Sequence, residues 1–301
     1  MSDPQRTLAI DFGTSNSAAA VLMGGKAFRV PLEAGNDTLP TAFFFPTGGA
    51  MRIGTQAGEA LIAGAEGRYM RALKSVLGTS LFHESKLIGG KRQSLAAVVT
   101  AFLREVKTRA EDMTRMTFPS AVSGRPVHFH SNDAERDARA QDDLAACYRA
   151  AGFEHLRFVY EPEAAALAAG KGEGLGLVVD IGGGTSDFSV FREGADGAEI
   201  LSSHGIRLGG TDFDQSISLT HVMPLLGHGS QLTRDMGAGR LPMPKALYVD
   251  LATWAKIPFL YSPETRRTIK DYHKHAVEPV LIERLATVID EELGHDLAFA
   301  V

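Results

Sequence analysis

The sequence predicts an α/β fold built on two similar cores, and three observations carry that prediction. A short apolar strand runs into Asp11, then a turn holding Gly13, Thr14 and Ser15, and a second strand leaves it. The same device recurs far along the chain. There an apolar strand over 175–179 meets Asp180, three glycines at 182–184, Thr185, Ser186 and Asp187, and a strand over 188–191 follows. Between and after the two devices lie helical periods, the clearest placing Leu95, Val98, Val99, Phe102, Leu103 and Val106 on one face.

Taken in order, residues 18–23 and 27–32 read as a hairpin around Gly24-Gly25-Lys26. Residues 38–45 read as a strand that Pro40 confines to an edge or a bulge. Residues 55–63 and 68–77 read as short helices, each followed by glycine. Lys74 falls in the second, where a lysine is ordinarily exposed. Ser94 caps the long amphipathic helix. Residues 117–122 and 127–129 read as strands separated by Gly124-Arg125-Pro126. Asp133 then opens a helix that runs to Ala151 and stops at Gly152. A strand over 156–160 feeds Glu161, and Pro162 suits the first turn of the alanine-rich helix beyond it. After a strand over 199–204, Gly209-Gly210 opens a helix through about Leu226. The stretch 227–244 is rich in Gly, Pro and Met and reads as a loop. Helices follow over 244–257, from Ser262-Pro263-Glu264, and from about Glu278 to the end, where no stop signal appears. A chain ending in mid-helix leads us to expect a piece of something longer.

Composition narrows the function. At roughly 150 residues per domain, a chain of 301 residues suggests two lobes. A net charge of −5 offers no basis for binding nucleic acid or an anionic membrane surface. The one cysteine, Cys147, has no partner for an intrachain disulfide and reads as a small buried hydrophobe. Neither a signal peptide nor an apolar run long enough to span a bilayer is found, so a cytoplasmic protein is expected. There is no Gly-x-x-x-x-Gly-Lys-[Ser/Thr] loop and no Gly-x-Ser-x-Gly elbow. The glycines at 172–176 precede a strand where a dinucleotide site needs them to follow one. His128 with His130, and His273 with His275, lack the companions of a metal site and read as solvated.

The positive chemistry lies in the duplicated turns. Consecutive glycines carry no Cβ, so backbone N–H groups can converge on an anion. Asp180 and Asp187 flank one such loop and could hold Mg²⁺ through its waters. A single loop of this kind is as often an empty hairpin, but two facing each other would clamp a polyphosphate. Gly209-Gly210 at a helix start is a third anion contact. Glu161 at a strand end is placed to face a cleft, although alone such a residue is ordinarily a cap or a surface acid.

Four motifs then stand in order: Asp11-Phe12-Gly13-Thr14-Ser15-Asn16-Ser17, Glu161-Pro162-Glu163-Ala164-Ala165-Ala166, Asp180-Ile181-Gly182-Gly183-Gly184-Thr185-Ser186-Asp187, and Leu208-Gly209-Gly210-Thr211-Asp212-Phe213-Asp214. Together they resemble the seventy-kilodalton heat-shock chaperone family of the DnaK type, within the actin and sugar-kinase superfamily. The resemblance implies an actin-like ATPase fold of duplicated ribonuclease-H-like cores. The first lobe would cover 1–172 with an insertion at about 37–107. The second would cover 173–301, incomplete, with a helical insertion at about 226–301. It implies ATP or ADP with Mg²⁺ as ligands. Thr14 and Ser15 would grip the β- and γ-phosphates, and Asp11, Asp180 and Asp187 would order the metal through waters. Lys74 would position the γ-phosphate and attacking water, with Glu161 as the acid beside it and Thr185 next to the γ-phosphate. Gly13, Asn16, Gly182, Gly183, Gly184, Gly209 and Gly210 complete the nucleotide contacts.

Phe12, Glu163 and Thr211 replace the family's usual leucine, threonine and acid, which marks a divergent bacterial branch. The family's adenine contacts fall largely beyond Val301, so weak binding with poor selectivity among bases is expected. The function implied is ATP binding and slow hydrolysis in a chaperone, with unfolded clients and co-chaperones as partners of a full-length form. An ATP-dependent switch or scaffold, or a small-molecule kinase, stands as the alternative.

Overall fold

The computed structural model describes residues 6–168, 174–194, 197–234 and 237–301. The lobe boundary expected at 172–173, and Gly172 of the glycine run, lie outside the described residues. The chain divides into two compact units, Met1–Gly209 and Gly210–Val301.

The first unit opens with β1 (Thr7–Phe12), β2 (Asn16–Met23) and β3 (Lys26–Val30), followed by β4 (Leu39–Pro40), β5 (Ala42–Pro46) and β6 (Arg52–Ile53). Then come α1 (Thr55–Ile62), β7 (Gly67–Arg71), a 3₁₀ turn over Leu73–Val76, α2 (Ser80–His83), β8 (Lys86–Ile88) and β9 (Lys91–Gln93). The long α3 (Leu95–Thr114) leads to β10 (Ser120–Arg125), α4 (Ala134–Ala150), β11 (His155–Tyr160) and α5 (Glu161–Ala168). The unit closes with β12 (Gly174–Ile181), β13 (Ser186–Gly194) and β14 (Gly197–Ile206).

The main sheet has the order β11-β10-β1-β2-β3, with β4 also on β2. β10 runs parallel to both β1 and β11, and the remaining pairs are antiparallel. Alternation along β1 buries Leu8, Ile10 and Phe12, leaving Ala9 and Asp11 on the other face. Phe12 meets Phe102 of α3 at 5.8 Å between ring centroids, and Phe43 of β5 meets the same ring at 5.4 Å. One aromatic cluster thus ties the first strand to its covering helix and to the small β6-β5-β7 sheet. The second antiparallel sheet, β12-β13-β14, sets Asp180 directly opposite Asp187 across the mouth of its hairpin.

Two expected elements of this unit come out differently. Residues 68–77 are not a helix: β7 pairs with the apolar β5, and Ala72 at φ 60° turns the chain into the short 3₁₀ turn carrying Lys74. Residues 127–129 are not a strand. β10 continues to Arg125, Pro126 has no N–H to donate, and the amides of Val127 and Phe129 are taken by Asp187 and Asp137.

The second unit runs α6 (Gly210–Ile217), a π turn and a 3₁₀ turn to Leu226, then β15 (Gln231–Thr233) and β16 (Arg240–Pro242). These are followed by α7 (Ala246–Leu251), α8 (Pro263–His275), α9 (Pro279–Asp290) and α10 (Gly294–Ala300). Its core gathers Tyr248, Leu251, Ile282, Leu285 and Ile289, with α8 packed on α9. The stretch read as a loop holds the β15–β16 hairpin. The expected regular helix to Leu226 gives way after Ile217 to a π turn and then to a 3₁₀ turn with Pro224 at its start. The final helix is broken. Glu292 adopts φ 57°, and Gly294 is pressed so closely on Ile257 and Tyr261 that a Cβ would stand 2.7 and 2.8 Å from them.

Candidate functional site

A cleft of about 850 Å³ in the first unit is lined by the Gly13–Asn16 turn, Lys74, Glu161 and the Asp180–Thr185 turn. The two turns lie against each other. A Cβ on Gly183 would stand 2.5 Å from Ser15 Oγ, and one on Gly184 would stand 2.8 Å from Thr14 Oγ1. Gly209 closes the back of the loop, where its Cβ would meet Gly184 N at 2.6 Å and Gly182 O at 2.7 Å. The hairpin turn is fixed by Gly182 N donating to Thr185 O at 2.9 Å, and Ser186 Oγ donates to Leu208 O at 2.7 Å. Asn16 begins β2 opposite Pro40, while Gly210 opens α6 in the second unit.

Lys74 lies in the 3₁₀ turn, not on an α-helix, and is not exposed. Its side chain is 8% exposed and Nζ donates to Glu161 Oε1 at 2.8 Å. Gly124 makes room beside the pair, since a Cβ there would lie 3.1 Å from Glu161 Cγ and 3.8 Å from Asp11 Oδ1. Burial alone would favour neutral Lys74, but the carboxylates of Glu161, Asp11 and Asp187 outweigh it and hold the ammonium above its usual pKa. Asp11, Asp180 and Asp187 are all pushed above the ordinary aspartate range, chiefly by burial and further by Glu161. Asp187 keeps counterweights in the Val127 amide, which donates to Oδ1 at 2.8 Å, and in Thr185.

The donor set fits a hard divalent cation. Asp11 and Asp180 line the cleft, and Asp187 is buried across the hairpin from Asp180. All three hold protons more tightly than usual, which is the electrostatic condition a cation relieves. Among the described residues no three acidic, histidine or cysteine side chains converge closely enough to ligate an ion directly, so Mg²⁺ would be met through its own waters. The glycine cradle, which excludes any Cβ, fits a phosphate chain in the same way.

Asp11→Asn should therefore stabilise the nucleotide-free chain. A folded pKa above the unfolded one means that ionised Asp11 destabilises the native state above the ordinary aspartate range, and that this cost vanishes below it. The variant is expected to melt higher at neutral pH, with the gap closing as pH falls toward that range. Melting curves that stay parallel across pH would contradict the assignment.

Other residues behave as small structural parts. Cys147 is buried, its thiol is pushed up to about 11, and Sγ lies 3.5 Å from Ala96 O, so no thiolate is available. His130 is buried and bonds to Leu77 O at 2.8 Å, and His273 faces Glu283 at 3.2 Å. His130, read from the sequence as solvated, is instead buried and bonded to Leu77 O, and the contacts of Arg125 and Val127 beside the cleft carry no motif of their own. The available signal was an arginine wedged between Gly124 and Pro126 at a strand end.

Among known proteins, residues 83–226 match the family described as Hsp70 protein. The chain is also 34% identical over 223 residues to the chaperone protein DnaK of Endomicrobium trichonymphae, covering 70% of this chain and 34% of that protein. The chain belongs to the Hsp70 family. That family carries the actin-like ATPase fold, in keeping with the mixed α/β sheets found here. The chain spans about a third of the length of the curated relative it matches. The family match includes Glu161, both hairpin aspartates and Gly209-Gly210, whereas Asp11 and Lys74 precede it. No helix among the described residues is long and apolar enough to cross a membrane.

Proposed function

We propose that the chain binds ATP and ADP with Mg²⁺ and hydrolyses ATP slowly, as the nucleotide-binding domain of a heat-shock-type chaperone. The observation that carries this reading is the buried Lys74–Glu161 pair standing in the same cleft as two aspartate-bearing turns, one rich in hydroxyls and one in glycine. Phosphoryl transfer asks the protein for positioning and positive charge more than for covalent chemistry.

In this reading Thr14 and Ser15, with the amides of Gly13, Gly182, Gly183, Gly184 and Gly209, hold the phosphate chain, and Asn16 and Gly210 border it. Bound Mg²⁺ would supply charge neutralisation on the phosphates. Asp11, Asp180 and Asp187 are placed to hold its waters. Lys74, kept charged by its carboxylate neighbours, faces the developing charge on the γ-phosphoryl group. Glu161 orients Lys74 and can accept a hydrogen bond from attacking water, with Thr185 beside it. We further propose lobes at 1–172 and 173–301, a cytoplasmic setting, and clients and co-chaperones as partners of a longer form.

Calorimetric titration with ATP, in magnesium and in chelator, tests the reading together with Asp180→Asn. The wild type should bind more tightly with magnesium. The variant should lose most of that increment and little of the metal-free affinity, because an amide is a poorer partner for Mg²⁺ and its waters. Equal losses in both conditions would overturn the metal role of Asp180. No nucleotide binding by the wild type would overturn the function.

A further inference from the structure

We propose that Arg125 is a positioning residue that holds the Lys74–Glu161 pair in its working geometry. The inference rests on the ATPase reading of the cleft but concerns a residue outside its lining. Arg125 is the last residue of β10 and is in register with Tyr160, the last residue of β11, which immediately precedes Glu161. Its guanidinium carbon lies 5.1 Å from the Tyr160 ring centroid and 5.2 Å from that of Phe129. Nη2 donates to Asp137 Oδ2 at 3.1 Å and to Val127 O at 3.2 Å, Nε donates to Pro126 O at 3.0 Å, and Nη1 bonds to Gln141. The side chain is only 12% exposed.

This one group organises the segment 126–130, and that segment bonds both Asp187 and the end of the turn that carries Lys74. Asp137 Oδ1, on the carboxylate that Arg125 grips, accepts from Phe129 N at 2.6 Å and from His130 N at 3.2 Å. Val127 N donates to Asp187 Oδ1 at 2.8 Å. His130 Nε2 donates to the carbonyl of Leu77, the residue that ends the 3₁₀ turn carrying Lys74. Through Tyr160 the same guanidinium fixes the corner where β11 becomes α5 and Glu161 begins. Only arginine can stack on rings while its planar fork serves several acceptors; a lysine ammonium keeps the charge and loses both.

The test compares Arg125→Met and Arg125→Lys with the wild-type full chain. Three quantities are measured: single-turnover hydrolysis of Mg·ATP, nucleotide affinity, and the nuclear magnetic resonance signal of the Lys74 ammonium in the nucleotide-free protein. Misplacing reacting groups by about 1 Å can cost about 100-fold, so Arg125→Met should be about 10- to 100-fold slower, with affinity near wild type. Its Lys74 signal should move or broaden, and Arg125→Lys should remain slow. Wild-type rate and signal in Arg125→Met would overturn the proposal, as would a lower melting temperature with both unchanged. If the wild type itself does not hydrolyse ATP, the ATPase reading fails and the Lys74 signal alone decides on Arg125. Should Arg125→Met fail to fold, Tyr160→Leu removes one stacked ring and is judged by the same rate and signal.

Discussion

Lys74→Met is expected to slow ATP turnover by about 100- to 1000-fold, the usual scale for removing one preorganised charge from a developing anion. Nucleotide affinity should change little, because the glycine turns and hydroxyls that hold the phosphate chain remain. The residue is a cation buried among the cleft's carboxylates. Its Nζ lies 2.8 Å from Glu161 Oε1, and Asp11 and Asp187 contribute further to keeping it protonated. Methionine has nearly the same reach and carries no charge. The change also leaves Glu161 largely buried without its partner, which costs on the order of 3–5 kcal/mol when such a pair is broken. Lys74→Met should thus melt well below the wild type. Adding Glu161→Gln should recover much of the stability and none of the turnover. Single-turnover kinetics and thermal melts on the two variants separate these effects. Wild-type hydrolysis in Lys74→Met would reduce the lysine to a structural ion pair.

Gly209→Ala is expected to lower nucleotide affinity tenfold or more, about 1.4 kcal/mol or beyond. The three nearest neighbours of a Cβ there are all main-chain atoms, Gly184 N at 2.6 Å, Gly182 O at 2.7 Å and Gly183 C at 2.8 Å. A flexible side chain could swing aside, but these atoms move only if the whole 182–184 loop moves. Overpacking of this kind typically costs about 1–3 kcal/mol, so a lowered melting temperature should accompany the lost affinity. The control is Gly24→Ala in the β2–β3 turn, where a Cβ meets nothing within 4 Å. Its positive φ of 57° brings local strain without touching the cleft. Titration of both variants with ADP checks the contrast, and equal affinities would remove Gly209 from the cradle.

The strand–aspartate–glycine turns were legible because their signals are local. β1 alternates cleanly, and three consecutive glycines admit few other uses. Ser94, Asp133 and Ser262 announced their helices for the same reason, each accepting from the amide three residues on. Lys74 falls within a stretch, 68–77, whose following glycine suits a helix end but which is a strand and a 3₁₀ turn. Pairing of β7 with β5 overrides the local helix signal, a tertiary effect that no local window contains. Residues 127–129 are not a strand because the amides of Phe129 and Val127 are satisfied by Asp137 and by Asp187, the latter 60 residues away. The break between α9 and α10 turns on Glu292 in a left-handed conformation that its residue type does not advertise.

The central claim is that the Gly13–Asn16 and Gly182–Thr185 turns grip one metal-bound polyphosphate together. It is tested most directly by replacing Mg²⁺ with Mn²⁺, whose unpaired electrons broaden nearby amide resonances, and recording spectra with and without ADP. The account predicts nucleotide-dependent broadening of Gly13, Thr14, Ser15, Gly183, Gly184 and Thr185 in parallel over one titration. Broadening confined to one turn, or equal with and without ADP, would contradict it.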